Sequence, residues 1–552
     1  MSLCRSQFFF MKNTSVLKAC GKDASNLVKF TLNSSNINNT NNNVSSINSN
    51  NDINSTTLNF IRSIFNKKNS SNIKSSSNEV ILNSKILKNP LLNLQNLKNN
   101  NKNLSNLSQR RNFSLLNNKI LQEITSANSA SASASASATA AQSSIKLPKS
   151  SWPINSHKGV AYLCIGTSIL VFAIVILGGL TRLTESGLSI TEWKPVTGAL
   201  PPMTQEDWEL EFAKYKESPE FKQLNSHINL DEFKFIYSME WSHRLLGRVI
   251  GLVFVLPSLY FIARKKVSKK VAFKLLGVCA LIGFQGFLGW WMVYSGLDEK
   301  LLEERRSKPT VSQYRLTAHL GAAFLVYCAM ISTGMSILRD HNIMKNPELY
   351  SKIFKQINSP NLKLFRRSCT GLLGLVFLTA MSGGLVAGLD AGLIYNTFPH
   401  MGDDWVPNKN ELLDPLFARK DDKSDLFWRN CLENPTTVQL NHRILATTSF
   451  FLIFAAHMYS HRIKTLIPKQ AYRSLNTVVG LVSIQVTLGI CTLLWLVPTD
   501  LAAAHQGGAL ALLTGVLILV QNLKKPTRTN LILLKQFLSK VNPDAAKKIM
   551  LK

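Results

Sequence analysis

Residues 159–180 read GVAYLCIGTSILVFAIVILGGL, a run without a charged side chain. About 20 such residues, wound as a helix, cross the hydrocarbon layer of a bilayer. Similar runs recur at approximately 241–263, 271–295, 315–337, 369–389, 438–460, 475–497 and 501–522. In lipid the backbone polar groups must be satisfied within the segment, so runs of this length are read as helices. The fold class that follows is an all-α membrane protein with eight transmembrane helices.

The 552-residue chain is otherwise uneven in composition. Residues 1–150 are rich in Asn and Ser and hold 18 Lys+Arg against four acids, supplying +14 of the formal net charge of +31. A basic, Ser-rich and acid-poor leader of this kind reads as a mitochondrial targeting sequence, not as a nucleic-acid-binding domain. Arg111-Asn112-Phe113-Ser114 resembles a matrix-protease cleavage site. The Asn tract 38–43 and the Ser-Ala repeat 129–141 have too little apolar surface to build a core and are expected to be disordered. Eight cysteines are scattered without CxxC spacing, which excludes a disulfide framework or a zinc site.

Charge sets the expected orientation. Arg264-Lys265-Lys266, Lys363, Arg366, Arg367, Arg462, Lys464 and Lys524-Lys525 flank the spans on one side. The opposite loops are acidic, with 11 acids to six bases in 181–240 and nine to five in 390–437. The positive-inside rule places both termini on the basic side, the matrix if the leader is a targeting sequence. Trp193, Trp208, Trp241, Trp405 and Trp428 gather on the acidic side, as an aromatic belt would.

The spans also form a repeat. Gly178-Gly179-Leu180 in span one matches Gly383-Gly384-Leu385 in span five, and Ser242-His243-Arg244 matches Asn441-His442-Arg443. Gln285 and Gly289 in span three match Gln485 and Gly489 in span seven, and His319-Leu320-Gly321 matches His505-Gln506-Gly507. The first histidine recurs after 199 residues and the glutamine after 200. Two tandem four-helix bundles of even span number share one orientation, which predicts a pseudo-two-fold axis along the membrane normal.

His243, His319, His442 and His505 all open spans from the acidic side. Two imidazoles facing each other inside a helical bundle can supply both axial ligands of a heme iron, so the repeat points to two heme sites. His157, His341, His457 and His461 have no repeat counterpart and are read as interfacial. Arg244 and Arg443 follow the first histidine of each half; heme propionates and snorkelling contacts are equal alternatives for them. Glu240 lies three residues before His243, whereas the residue at that place before His442 is Gln439. A carboxylate beside one site and an amide beside the other suggest unequal tasks, with Glu240 handling protons or charge; an i,i+4 ion pair with Arg244 is the competing reading. Gln285 and Gln485 are read as hydrogen-bonding between helices or to a cofactor, with the structural role favoured, and the paired glycines as helix-contact residues.

At this point a family resemblance emerges. Gly178 to Ser189 with Trp193-Lys194-Pro195 and Gly198, and Gly388-Leu389-Asp390-Ala391-Gly392 with Tyr395-Asn396-Thr397-Phe398-Pro399 and Met401-Gly402, resemble the outer loops of heme A synthase. With Glu240 and His243 they are similar to its mitochondrial form, over roughly residues 159–522. The resemblance implies oxidation of a methyl group of heme O to a formyl group, giving the heme A of cytochrome c oxidase. It implies that His442 and His505 ligate a resident heme b, that His243 and His319 mark the substrate heme site, and that Glu240 is needed for catalysis. Some bacterial relatives carry cysteine pairs in the outer loops; here the 181–240 loop has none and the second holds only Cys431.

The expected organisation is a leader (1–150), an N-terminal four-helix half with the substrate site (151–340), a matrix linker (341–368), a C-terminal half with the heme b site (369–522) and a matrix tail (523–552). Expected partners are heme O, a ferredoxin-like electron donor, the heme O-producing enzyme, cytochrome c oxidase assembly factors, the lipid bilayer and a second copy of the chain, in the mitochondrial inner membrane. Two other classes compete. A diheme electron-transfer cytochrome would place hemes near both faces, and a repeat-built transporter would place polar residues at the midplane.

Overall fold

The computed structural model describes residues 151–305 and 307–543, and among them every regular element is helical. The leader with its Arg111–Ser114 tetrapeptide and Asn and Ser-Ala tracts, and residues 544–552, lie outside the described residues. Eight helices are long and apolar enough to cross a membrane. They are α1 (Lys158–Leu183), α2 (Leu230–Ala263), α3 (Lys269–Leu297), α4 (Gln313–Lys345), α5 (Lys363–Gly388), α6 (Pro435–Arg462), α7 (Lys469–Leu494) and α8 (Thr499–Leu523).

The termini are set by local chemistry more than by hydropathy. Helix α2 begins at Leu230, well before its apolar run, because Asn229 caps it. The Asn229 side chain accepts from the backbone N–H groups of Asp231 and Glu232, and Glu232 accepts from Asn229 N in return. In α6, Asn434 caps a helix with Pro435 at its first position, where the missing N–H costs nothing. Helix α7 ends at Leu494, earlier than the apolar run suggests, because Leu496 and Val497 adopt φ of 61° and 57°. That left-handed step, unusual for a β-branched residue, turns the chain into α8 through a very short connection.

The same helix contacts recur in each half. Helix α1 packs on α2 and α4, and α3 packs on both α2 and α4; likewise α5 packs on α6 and α8, and α7 on α6 and α8. Between halves, α4 meets α5, α8 meets α1, and α4 meets α8. This pattern is compatible with the two-fold relation expected from the repeat. Helices α4 and α8 are the most enclosed, whereas α2, α6 and α7 turn most of their surface outward. Phe324, Met330, Leu510, Leu513 and Val516 fill the centre, and Tyr327 Oη lies 2.8 Å from Thr514 Oγ1 across the α4–α8 contact. At the histidine end an ion pair of 2.9 Å joins Arg182, in the last turn of α1, to Asp390, just beyond α5.

An extramembrane cap covers the histidine end of the first half. The amphipathic helix Gln205–Lys216 lays Phe212 and Tyr215 against Phe233 and Tyr237 of α2. Trp208 packs edge-on to Tyr237 at 5.2 Å, and Trp241 donates its indole N–H to the Ala199 carbonyl. These two tryptophans pack within the cap, where their neighbours in sequence supply a folded partner. At the opposite end the helices Pro347–Asn358 and Arg528–Val541 pack together on the end of α4 through Ile343, Tyr350, Phe354, Ile357, Leu533 and Leu534. Asn530 Nδ2 donates to Asp340 Oδ1 there. Much of the 341–368 and 523–543 stretches is thus helical, on apolar stripes too short to stand out as spans.

Within the cap, Glu220 is 4% exposed and accepts from Tyr215 Oη at 3.0 Å, while Asn225 Nδ2 donates to that phenol at 2.9 Å. Burial pushes the Glu220 carboxyl up to about 8, with the charges of Glu240 and Glu185 adding to the effect and the Tyr215 hydrogen bond opposing it. A carboxyl raised in the folded state favours folding least when it must ionise. Its cost grows as pH rises above the ordinary value of 4.5 and levels off above about 8. The variant Glu220→Gln, which keeps an acceptor for Tyr215, should therefore lose the decline in thermal midpoint between about pH 5 and 8 and gain a few degrees at the upper end. An unchanged pH slope in a thermal unfolding series would refute this.

Candidate functional site

Each histidine of the repeat needs space in a tightly packed bundle, and a glycine on the adjacent helix provides it. A Cβ added at Gly178 would stand 2.8 Å from His243 Cε1, and one at Gly289 would stand 3.1 Å from His319 Cε1. In the second half the corresponding distances are 3.2 Å from Gly383 to His442 and 2.8 Å from Gly489 to His505. Any side chain at these four positions would displace an imidazole. The sequence reading assigned the paired glycines to helix contact. The first of each pair and the glycine four residues after each glutamine instead clear a ring. The second glycines do serve close packing: Gly179 admits Gln506, whose Nε2 donates to the Val175 carbonyl at 2.9 Å, and Gly384 lies against Thr317 and Leu320.

The structure brings the rings together as the repeat predicts. His243 and His319 have centroids 6.5 Å apart with planes at 60°, and His442 and His505 have the same separation at 86°. A metal midway between the rings, met by a nitrogen of each on the line of centroids, would stand about 2.1 Å from both, the length of a metal–imidazole bond. Among the described residues no Nε2 of these four rings makes a hydrogen bond, so each pair keeps two free nitrogens for one metal. The pairs therefore fit a bis-histidine heme. Among the described residues there is no cluster of three or more His, Cys, Asp or Glu side chains that could hold a metal ion without such a group.

Amides hold two of the rings. Gln285 Nε2 donates to the His319 carbonyl at 2.9 Å and lies 3.1 Å from its Nδ1. Gln485 repeats this toward His505 at 3.0 and 3.1 Å. Contacts beside the metal ligands orient them, so these glutamines belong to the site and not merely to the packing. The other two rings differ. His442 Nδ1 lies 2.8 Å from Ser382 Oγ, whereas His243 Nδ1 is buried with no partner. An unpaired buried polar atom costs about 1–3 kcal/mol, so the difference is energetically real.

Glu240 and Arg244 form the ion pair that the spacing allows, with Nη2 and Nε at 2.7 and 3.1 Å from Oε1. The carboxylate does more than pair: Oε2 accepts from Ser189 Oγ at 2.7 Å and from Ile190 N at 2.8 Å. Arg244 also donates to the carbonyls of Ile190 and Glu192, so the pair straps the 189–192 loop across the first site. Gln439 and Arg443 do the same with different chemistry. Gln439 Nε2 donates to the carbonyls of Ala391 and Tyr395, and Arg443 donates to those of Tyr395 and His400. Arg443 keeps a buried, unpaired Nε, a donor suited to a carboxylate; Arg244 spends its Nε on Glu240. Of the remaining histidines, His341 Nε2 lies 2.8 Å from the Ser156 carbonyl, and His457 and His461 bond Asn476 and Tyr472 away from both sites. The bond from Ser382 to His442 and the loop straps were not read from the sequence. The first was discoverable as a break in the repeat, the second only from the fold.

Comparison with known proteins agrees with this geometry. Residues 161–517 match the COX15-CtaA family model, described as cytochrome oxidase assembly protein. The chain is 59% identical over 373 residues to heme A synthase COX15 of Saccharomyces cerevisiae, covering 68% of this chain and 77% of the relative. It is 50% identical over 370 residues to a heme A synthase-mitochondrial ferredoxin fusion protein of Schizosaccharomyces pombe, covering 66% of this chain and 60% of that one. Identity to heme A synthase COX15 of Homo sapiens is 47% over 363 residues, covering 66% of this chain and 81% of the relative. Paired imidazoles at one end of eight apolar helices, and a family match spanning all eight, lead to one conclusion: the chain belongs to the COX15-CtaA family of cytochrome oxidase assembly proteins.

Proposed function

We propose that this protein is a heme A synthase of the mitochondrial inner membrane, oxidising one methyl group of heme O through an alcohol to a formyl group. The observation that carries the reading is the spacing of the two imidazole pairs, each fit to span one iron, within a chain of this family. His442 and His505 hold a resident heme b, which supplies redox chemistry when bound. His243 and His319 receive the substrate heme. Arg443 offers its unpaired Nε to a propionate. Both termini are assigned to the matrix on the charge bias of the loops. The fusion of a relative to a mitochondrial ferredoxin supports a ferredoxin as electron partner. The heme O-producing enzyme, oxidase assembly factors and a second copy of the chain remain the other partners we assign.

Glu240 puts a carboxylate, paired with Arg244, beside the first site. Its carboxylate closes the loop over the site and stands one turn before His243, where it can hold a proton or balance positive charge developing during oxidation. Gln439 performs only the loop-holding part of that task.

Deleting the protein in its host should abolish heme A while heme O persists in extracted hemes separated by chromatography; unchanged heme A would overturn the enzyme reading. Glu240→Gln should leave heme bound and lower formyl product by about a hundredfold or more, the usual range for losing a proton-handling group. Full heme A output from that variant would remove Glu240 from the chemistry. Gly489→Val, which crowds His505, should abolish the optical spectrum of the resident heme even though helix content is kept.

A further inference from the structure

The two halves differ in how the first histidine is held, and the difference extends through three positions. In the second half Ser382 Oγ donates to the Thr379 carbonyl at 2.7 Å, which uses its only hydrogen. With that hydrogen on the Thr379 carbonyl, the contact with His442 Nδ1 at 2.8 Å runs from the ring N–H to the hydroxyl oxygen. That tautomer leaves the lone pair on Nε2, the other ring nitrogen. Thr379 Oγ1 in turn lies 3.0 Å from Ser449 Oγ on α6, tying the serine's own turn of α5 to the helix that carries His442.

The first half repeats the helix contacts and has none of this polarity. Gly178 and Gly383 both clear the first histidine, so the residues before them correspond: Leu177 stands where the second half has Ser382. By the same register Ile174 replaces Thr379, and by the register of His243 and His442, Ile250 replaces Ser449. A leucine has no acceptor to offer, and the Leu177 carbonyl already takes the Thr181 hydroxyl at 2.8 Å. His243 Nδ1 is accordingly buried without a partner. Glu240 does not compensate, since both of its oxygens are turned to Arg244 and the 189–190 loop.

We propose that Ser382, backed by Thr379 and Ser449, is a positioning residue that makes His442 a retained iron ligand, and that the apolar counterpart at Leu177 makes His243 an exchangeable one. This inference rests on the two-heme reading above. A ligand imidazole is ordinarily fixed in tautomer and rotation by an acceptor on its second nitrogen, and losing that acceptor typically costs 10–100-fold in metal affinity. An enzyme whose substrate and product are both hemes needs one site that keeps its heme and one that releases it. The same protein fold delivers both by changing which residues stand behind one ring.

The test uses the full-length detergent-solubilised protein loaded with protoheme, and follows transfer to excess apomyoglobin by visible spectroscopy. Wild type should release heme in a fast and a slow phase, with His505→Ala removing the slow one. Ser382→Ala should speed the slow phase by about 10–100-fold and shift the spectrum and reduction potential of the retained heme. Ser382→Thr, which keeps a hydroxyl, should restore both, and Leu177→Ser should slow the fast phase. A slow phase and potential unchanged in Ser382→Ala would overturn the inference alone. No protoheme uptake by wild type, or retention surviving His442→Ala with His505→Ala, would overturn the two-heme reading and this inference with it.

Discussion

An imidazole can reach a partner across a helical bundle only where the adjacent helix leaves it room. Close-packed interiors provide such room by omitting a side chain. In this protein four glycines on α1, α3, α5 and α7 each face one ring on α2, α4, α6 and α8. The spacing of each ring pair, the nearness of the helices that carry them and the positions of the holding glutamines all follow from those clearances. The glycines are costly in a helix taken alone, where each loses roughly 0.8–1.0 kcal/mol against alanine. Here the penalty is offset by a geometry that no larger residue would permit.

Around that centre the straps are built from the ligand helices themselves. Glu240 and Arg244 lie within a turn of His243, and Gln439 and Arg443 within a turn of His442, yet their polar atoms go to the loops above. The segments that close the site and the segments that form it thus share a few turns of helix. Loop and ligand helix are thereby tied to each other by the same few side chains.

Much of this was legible in the sequence, for a physical reason. Long apolar runs have only one structure open to them in lipid, so eight spans could be read, although caps and turns carry several helices well past the apolar run, as at Leu230 and Lys345. Tandem repetition then identified the four histidines, because chance seldom repeats two histidines, a glutamine and several glycines at matched positions of two halves. What escaped reading was governed by contact and not by pattern. The cap cluster around Tyr215 and Glu220 depends on residues from two elements meeting, and helices such as Pro347–Asn358 carry too little apolar length to announce themselves. Leu496 and Val497 extended an apolar run past the point where the backbone turns back. Ser382 was hidden differently: it sits in a hydrophobic stretch as an unremarked small residue, and only its distance to His442 gives it meaning.

The ion pair from Arg182 to Asp390 binds two halves that belong to one polypeptide, and this has a consequence for how the sites could diverge. In a symmetric dimer of a single four-helix chain, any residue is written once and appears at both sites. A serine behind one ring would stand behind the other, and a glutamate would come with its twin. Joining the copies end to end frees each from the other's constraints while the shared contact surface keeps them aligned. Division of labour between two otherwise matching pockets is then a matter of ordinary point substitutions, one copy at a time.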